Sequence, residues 1–107
     1  MEHITAPQLA SLIADSNQPT PLLLDVREPW EYETCHIASS TLIPMNTIPT
    51  RFNELEEDQP IVCICHHGAR SMQVAAFLER QGFTKVTNLT GGVHAWATQV
   101  DTTMPTY

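Results

Sequence analysis

The sequence predicts an α/β domain organised on a mainly parallel sheet, and three observations carry that expectation. Leu22–Val26 and Ile61–Ile64 are short, near-continuous apolar runs, the pattern of strands covered on both faces. Stretches with helical spacing and helix-terminal residues lie between the strand-like runs. Strands and helices therefore alternate along the chain, as parallel crossovers require.

Ile4 suits a short edge strand. Thr5-Ala6-Pro7-Gln8 then reads as a helix start, with Thr5 as N-cap, Pro7 in the first turn and Gln8 closing a capping box. Leu9, Leu12 and Ile13 form its apolar face, and Asn17 to Pro21 ends it. Leu22–Val26 follows as a strand, with Asp25 and Arg27 at its carboxyl end, two apart and so on one side of an extended chain. Glu28 to Glu33 suits a short helix opened by Pro29. Thr41-Leu42-Ile43 reads as a strand stopped by Pro44, and Asn46 to Leu55 as a helix presenting Ile48, Phe52 and Leu55. The cluster Glu54, Glu56, Glu57 and Asp58 is expected to be a solvated turn. Lys85–Leu89 is a further strand, Thr90-Gly91-Gly92 a tight turn, and Val93-His94-Ala95-Trp96 opens a last helix.

The chemistry concentrates between Pro60 and Gly82. Ile61-Val62-Cys63-Ile64 is strand-like. From Ser71 onward Met72, Ala75, Ala76 and Leu78 are spaced for a helix, with Gly82 as its stop. Cys65 thus leaves the carboxyl end of a central strand and faces the loop His66-His67-Gly68-Ala69-Arg70, which feeds a helix amino terminus. Such a loop aims backbone N–H groups and the positive end of the helix dipole at its centre. That environment activates a thiol and holds an anion beside it, so Cys65 is expected to be a nucleophile. Arg70 opposes the dipole where it stands, which suggests pairing with an anionic donor or fixing the loop.

At 107 residues the chain is expected to form one domain, residues 1–107, with a modest core. A net charge of −7 disfavours non-specific binding to nucleic acid or to an anionic membrane. It also means that an anionic substrate has to be attracted locally. Three cysteines without a secretory leader point to reduced thiols in the cytoplasm. A zinc site is not expected: Cys63, Cys65, His66 and His67 are too crowded along the chain to surround one tetrahedral ion. Cys63, mid-strand, is assigned to the core, Cys35 to a surface turn near the pocket, and His36 and His94 to structural roles. Trp30, Phe77 and Trp96 are packing candidates.

Three blocks resemble the rhodanese family. Asp25-Val26-Arg27-Glu28-Pro29-Trp30-Glu31-Tyr32 with His36-Ile37 is similar to its first signature. Cys65-His66-His67-Gly68-Ala69-Arg70-Ser71 resembles its active-site loop, and Gly91-Gly92-Val93-His94-Ala95-Trp96 its last signature. The resemblance implies a single rhodanese-like, three-layer domain with a five-stranded sheet flanked by helices. It also implies a sulfurtransferase whose catalytic Cys65 carries a persulfide. The donor would be bound by His66, His67, Gly68, Ala69, Arg70 and Ser71, with Asp25 and Arg27 as a bracing ion pair. The implied partners are a small anionic sulfur donor such as thiosulfate and a thiol or cyanide acceptor. No metal and no organic cofactor are implied, and the default is a monomer. The chain departs from the family at Cys35, where a glycine is usual, and within Ala38-Ser39-Ser40. A non-sulfurtransferase alternative is a protein-binding or redox-sensing module on the same scaffold. Related phosphatases have a loop one residue longer between cysteine and arginine, so the four residues between Cys65 and Arg70 disfavour that chemistry.

Overall fold

The structure, a computed structural model, describes residues 1–107. Five strands form one sheet: β1 (Glu2–Ile4), β2 (Leu22–Asp25), β3 (Thr41–Leu42), β4 (Ile61–Ile64) and β5 (Val86–Leu89). Their order is β1-β5-β4-β2-β3 and every pairing is parallel. The helices are α1 (Ala6–Ala14), α2 (Pro29–Thr34), α3 (Ile48–Arg51), α4 (Ala69–Arg80) and α5 (Gly92–Gln99). The fold is therefore the α/β class with a five-stranded parallel sheet. None of the helices is long and apolar enough to cross a membrane.

Alternation along β4 divides the core into two layers. Ile61, Cys63 and Cys65 point to the face covered by α3 and α4, where they meet Leu24, Val26, Val74, Ala75 and Leu78. Val62 and Ile64 point to the face of α1 and α5, against Leu9, Leu23, Leu89, Val93 and Trp96. All four residues of β4 are buried, which explains why the strand reads as a continuous apolar run.

Local signals set several boundaries. Thr5 Oγ1 accepts from the Gln8 amide at 3.3 Å while Gln8 Oε1 accepts from the Thr5 amide at 2.9 Å, the expected capping box. α4 starts two residues before the expected Ser71, because Gly68 serves as its N-cap at φ 109° and turns the chain directly into the helix. Met72 lies on the solvent face of α4, 45% exposed, and Val74 takes the inner position instead. The expected helix from Asn46 to Leu55 is broken into a 3₁₀ turn (Met45–Thr47), α3 and a second 3₁₀ turn (Phe52–Glu54). Pro49 has no N–H to continue the ladder across that stretch.

The strand order places the chemistry. From β2 the chain runs to β3 on one side, and from β4 it runs to β5 on the other. The connections diverge between β2 and β4, and a crevice at the carboxyl ends of the strands follows from that divergence. Arg27 follows β2 and Cys65 follows β4 at that point.

Candidate active site

Cys65 is 1% exposed and lies at the floor of the loop joining β4 to α4. Its Sγ accepts from the Gly68 amide at 3.0 Å. The amides of His66, His67, Ala69, Arg70 and Ser71 donate to no group of the chain. These N–H groups belong to a tight loop and to the first turn of α4, where donors have no intrahelical acceptor. The result is a loop with one amide on the sulfur and further backbone donors free beside it, an arrangement suited to binding negative charge.

The last helix holds that loop in shape. The amides of Val93 and His94, in the first turn of α5, donate to the carbonyls of Cys65 and His66 at 2.9 and 3.1 Å. With those carbonyls drawn toward α5, the loop is tied down by its outer side. Gly92 makes the approach possible: a Cβ there would lie 2.3 Å from the Cys65 carbonyl oxygen and 2.4 Å from that of His66. Only a residue without a side chain lets the two backbones meet.

Ser71 and Asn88 support the sulfur from below. Asn88 is 1% exposed on β5; its Nδ2 donates to the Gly68 carbonyl at 3.2 Å, which orients Oδ1 toward the Ser71 hydroxyl. Ser71 Oγ is also 3.3 Å from Cys65 Sγ. A hydroxyl has one proton to give. While Ser71 donates to Asn88, its oxygen can only accept from a protonated Cys65; donation to a thiolate requires the hydroxyl to leave Asn88.

The rim is an alternating set of charges. Arg27, fully buried, donates from Nε to Asp25 Oδ1 at 2.9 Å and from Nη2 to Asp25 Oδ2 at 2.7 Å, with Nη2 also reaching the Cys35 carbonyl at 2.6 Å. Its Nη1 donates to the Tyr107 hydroxyl at 2.8 Å, and that hydroxyl donates to Glu31 Oε2 at 2.8 Å. Glu31 in turn receives both terminal nitrogens of Arg70. These bonds from Arg70 draw the Glu31 carboxyl down to about 2, against the upward push of its burial. Burial raises Tyr107 to about 12, so its hydroxyl stays protonated at neutral pH. The Tyr107 ring stacks on His66 with centroids 4.1 Å apart and meets Trp30 edge-on at 5.6 Å.

A family model for the rhodanese-like domain matches residues 5–99. This chain belongs to the rhodanese-like domain family. Among its relatives, a sulfurtransferase of Allochromatium vinosum is 38% identical over 97 residues, covering 91% of this chain and 89% of the relative. The thiosulfate sulfurtransferase GlpE of Pseudomonas syringae pv. syringae is 38% identical over 77 residues, 72% of this chain and 73% of that one. A rhodanese-like domain protein from Staphylococcus aureus superposes with a TM-score of 0.82 at 34% identity, covering 90% and 91% of the two chains. The three-layer rhodanese-like fold expected from the motifs is the one the chain adopts.

Within this rhodanese-like domain the residues singled out in the sequence come together unevenly. Cys65, Gly68 and Ser71 meet directly, and Asp25 pairs with Arg27. The side chains of His67 and Ala69 face solvent and that of His66 is half-buried, so these three offer the pocket their backbone. Arg70 was expected to present its planar fork to a donor anion; here the two terminal nitrogens of that fork are already taken by Glu31. Three residues escaped the sequence reading. Glu31 was read only as part of a short helix and of the first signature, with no role of its own, whereas Asn88 and Tyr107 carry no local signal, since their partners lie far away in the chain. Trp30, taken as a packing residue, is 60% exposed.

The departures from the family pattern resolve simply. Cys35 has an extended backbone at φ −167° and is buried, not on a surface turn. The positive φ of this region falls on Ser39, at 70°, the non-glycine residue with that conformation. Cys63 is buried on β4, and burial raises its thiol to about 12, followed by the effect of nearby Cys65.

Proposed function

We propose that this domain is a sulfurtransferase that carries sulfane sulfur as a persulfide on Cys65. The observation that supports it most is the cysteine sulfur set in a loop of backbone amides that have no other acceptor. The names of the relatives point the same way.

In this reading the Cys65 thiolate attacks the outer sulfur of a small anionic donor, with thiosulfate as the first candidate. The S–S bond of the donor breaks, sulfite leaves with the bonding pair, and Cys65 keeps one sulfur as a persulfide anion. An acceptor thiolate, or cyanide in an assay, then attacks that outer sulfur and restores the Cys65 thiolate. The amides of His66 through Ser71 hold the terminal sulfur's negative charge in both steps, as an oxyanion hole holds oxygen. Ser71 can follow the charge by turning its proton from Asn88 to sulfur. Arg70 acts as a positioning residue: paired with Glu31 it fixes the mouth of the loop and places positive charge near it. Asp25 and Arg27 brace the neighbouring strand end. No metal or organic cofactor enters this scheme.

The phosphatase alternative is disfavoured by the four-residue spacing from Cys65 to Arg70 and by the engagement of Arg70 with Glu31. A phosphate-binding loop needs that guanidinium free for the oxyanion.

A steady-state assay with thiosulfate and cyanide tests the proposal. Thiocyanate should form with the wild type and fall to background with Cys65→Ser. Equal rates in the two proteins would overturn it, and so would aryl-phosphate hydrolysis in place of thiocyanate production.

A further inference from the structure

The topology assembles a second cluster of donor side chains beside the loop. His66 and His67 lie in the loop itself, and α5 brings His94 against them. One ligand atom from each of the three imidazoles lies within 4.8 Å of the other two. We infer that His66, His67 and His94 form a binding site for a borderline transition-metal ion of the Zn²⁺, Cu²⁺ or Ni²⁺ class.

Crowding along the chain argued against a site made from Cys63, Cys65, His66 and His67. That argument does not reach a ligand supplied from another element. His94 comes from α5, and its placement is fixed by backbone: its amide donates to the His66 carbonyl at 3.1 Å. The Gly92 contact locks the same two segments together. Two of the three ligands therefore sit on a rigid frame, as a preorganised site requires.

His66 supplies an independent observation. Its Nε2 is buried and has no hydrogen-bond partner, an arrangement that costs free energy unless something satisfies the nitrogen. Its ring is clamped between His67 and Tyr107, each with centroids 4.1 Å away.

The donor set selects the metal class. Three imidazole nitrogens without a carboxylate suit zinc, copper and nickel and do not suit calcium or magnesium. Metal–nitrogen bonds of about 2.0–2.1 Å in tetrahedral geometry bring the nitrogens to about 3.3 Å from each other. The cluster reaches that spacing by rotation of the two exposed rings, His67 and His94, around a stationary His66. His67 has to turn out of its stack on His66, because stacked rings do not aim their in-plane lone pairs at one point. The fourth position then stays open to water or to an external anion.

The test is calorimetric titration of the Cys65→Ser protein with Zn²⁺ alone, which removes the loop thiol as a competing ligand. One ion should bind per chain, and the imidazole ¹⁵N resonances of His66 should shift with saturation. His94→Gln and His67→Gln should each weaken binding by at least about a hundredfold, the upper end of what loss of even an outer-shell partner costs. Melting temperatures of both variants confirm folding, and His67, being exposed, is the safer of the two. His36→Gln, whose ring stacks on Tyr32 and is no part of the cluster, should bind as before. The inference is overturned by absence of stoichiometric binding, by undiminished affinity in either His67→Gln or His94→Gln, or by an equal loss in His36→Gln. It is overturned equally if zinc binds the wild type and not Cys65→Ser, since the thiol would then be the ligand. None of these outcomes depends on sulfur transfer.

Discussion

Glu31 receives both terminal nitrogens of Arg70, Nη1 on Oε1 at 2.7 Å and Nη2 on Oε2 at 2.9 Å, across 39 residues of sequence. Glu31 is 4% exposed, so removing Arg70 leaves a buried carboxylate with only the Tyr107 hydroxyl and the Glu28 amide. Arg70→Ala should lower stability by about 2–3 kcal/mol and raise the donor KM as the loop mouth loosens. Arg70→Lys should recover part of both. Glu31→Gln should lose stability and raise the donor KM less than Arg70→Ala does, because the loop mouth loosens while the positive charge stays beside it. Thermal melts and donor saturation on the same three variants check this; unchanged melting of Arg70→Ala would contradict the brace.

The same pair sets an acid limit. The folded-state pKa of Glu31, about 2, lies below its ordinary value of 4.5. Folding therefore favours the ionised form, and the pair's contribution is complete above about pH 4.5 and is lost as the pH falls toward 2. Wild type should exceed Glu31→Gln by about 2–3 kcal/mol at pH 7, the shift being discounted because Arg70 is partly in solvent. The two stability curves should converge between pH 4.5 and 2. Denaturant titrations over that range measure the difference, and a constant gap would show that the ion pair is not its source.

Thiol reactivity should follow position and not exposure alone, since all three cysteines are buried. Cys65 faces the loop amides and should react first with a small reagent such as iodoacetamide. Cys35, buried and behind the Arg27 contact to its carbonyl, should follow slowly. Cys63, with its thiol raised to about 12, should label only on unfolding. Peptide mapping after timed alkylation gives the order, and early labelling of Cys63 would contradict its place on β4.

Gly92→Ala should be among the most damaging single-methyl additions in the chain. The new Cβ would meet the Cys65 and His66 carbonyls at 2.3 and 2.4 Å, at a φ of 60°. A loss of about 3 kcal/mol or more is expected, combining steric overlap with backbone strain. Gly82→Ala makes the comparison: its φ is also positive, at 103°, but the Cβ would meet only the Glu57 side chain at 3.6 Å. That variant should lose about 1–2 kcal/mol from backbone strain alone. Melting both variants separates the two costs, and equal losses would remove the special role given to the α5–loop contact.

The contrast between these sites shows what was legible in the sequence. The Thr5–Gln8 cap, the apolar run of β4 and the Cys65-to-helix loop are written in neighbouring residues; the first two formed where expected, and the loop closed two residues early because Gly68 caps α4. The partner of Arg70 was not legible, because the divergence of β2 and β4 brings α2 over the loop and no local pattern encodes that approach. Asn88 read as one residue of a strand, and only its register beside β4 puts it under Ser71. His94 read as a structural histidine for the same reason: the Gly92 contact that places it beside His66 is a meeting of two backbones. The broken helix around Pro49 is the exception, since the proline was visible and its missing donor was enough to predict the break.

The most direct measurement is the intact mass of the protein after treatment with thiosulfate and rapid desalting. The account predicts a gain of one sulfur atom, mapped to the peptide containing Cys65, removed by cyanide and absent from Cys65→Ser. A wild-type protein that stays folded and gains no cyanide-sensitive sulfur, or gains it on Cys35 or Cys63, would contradict the central claim.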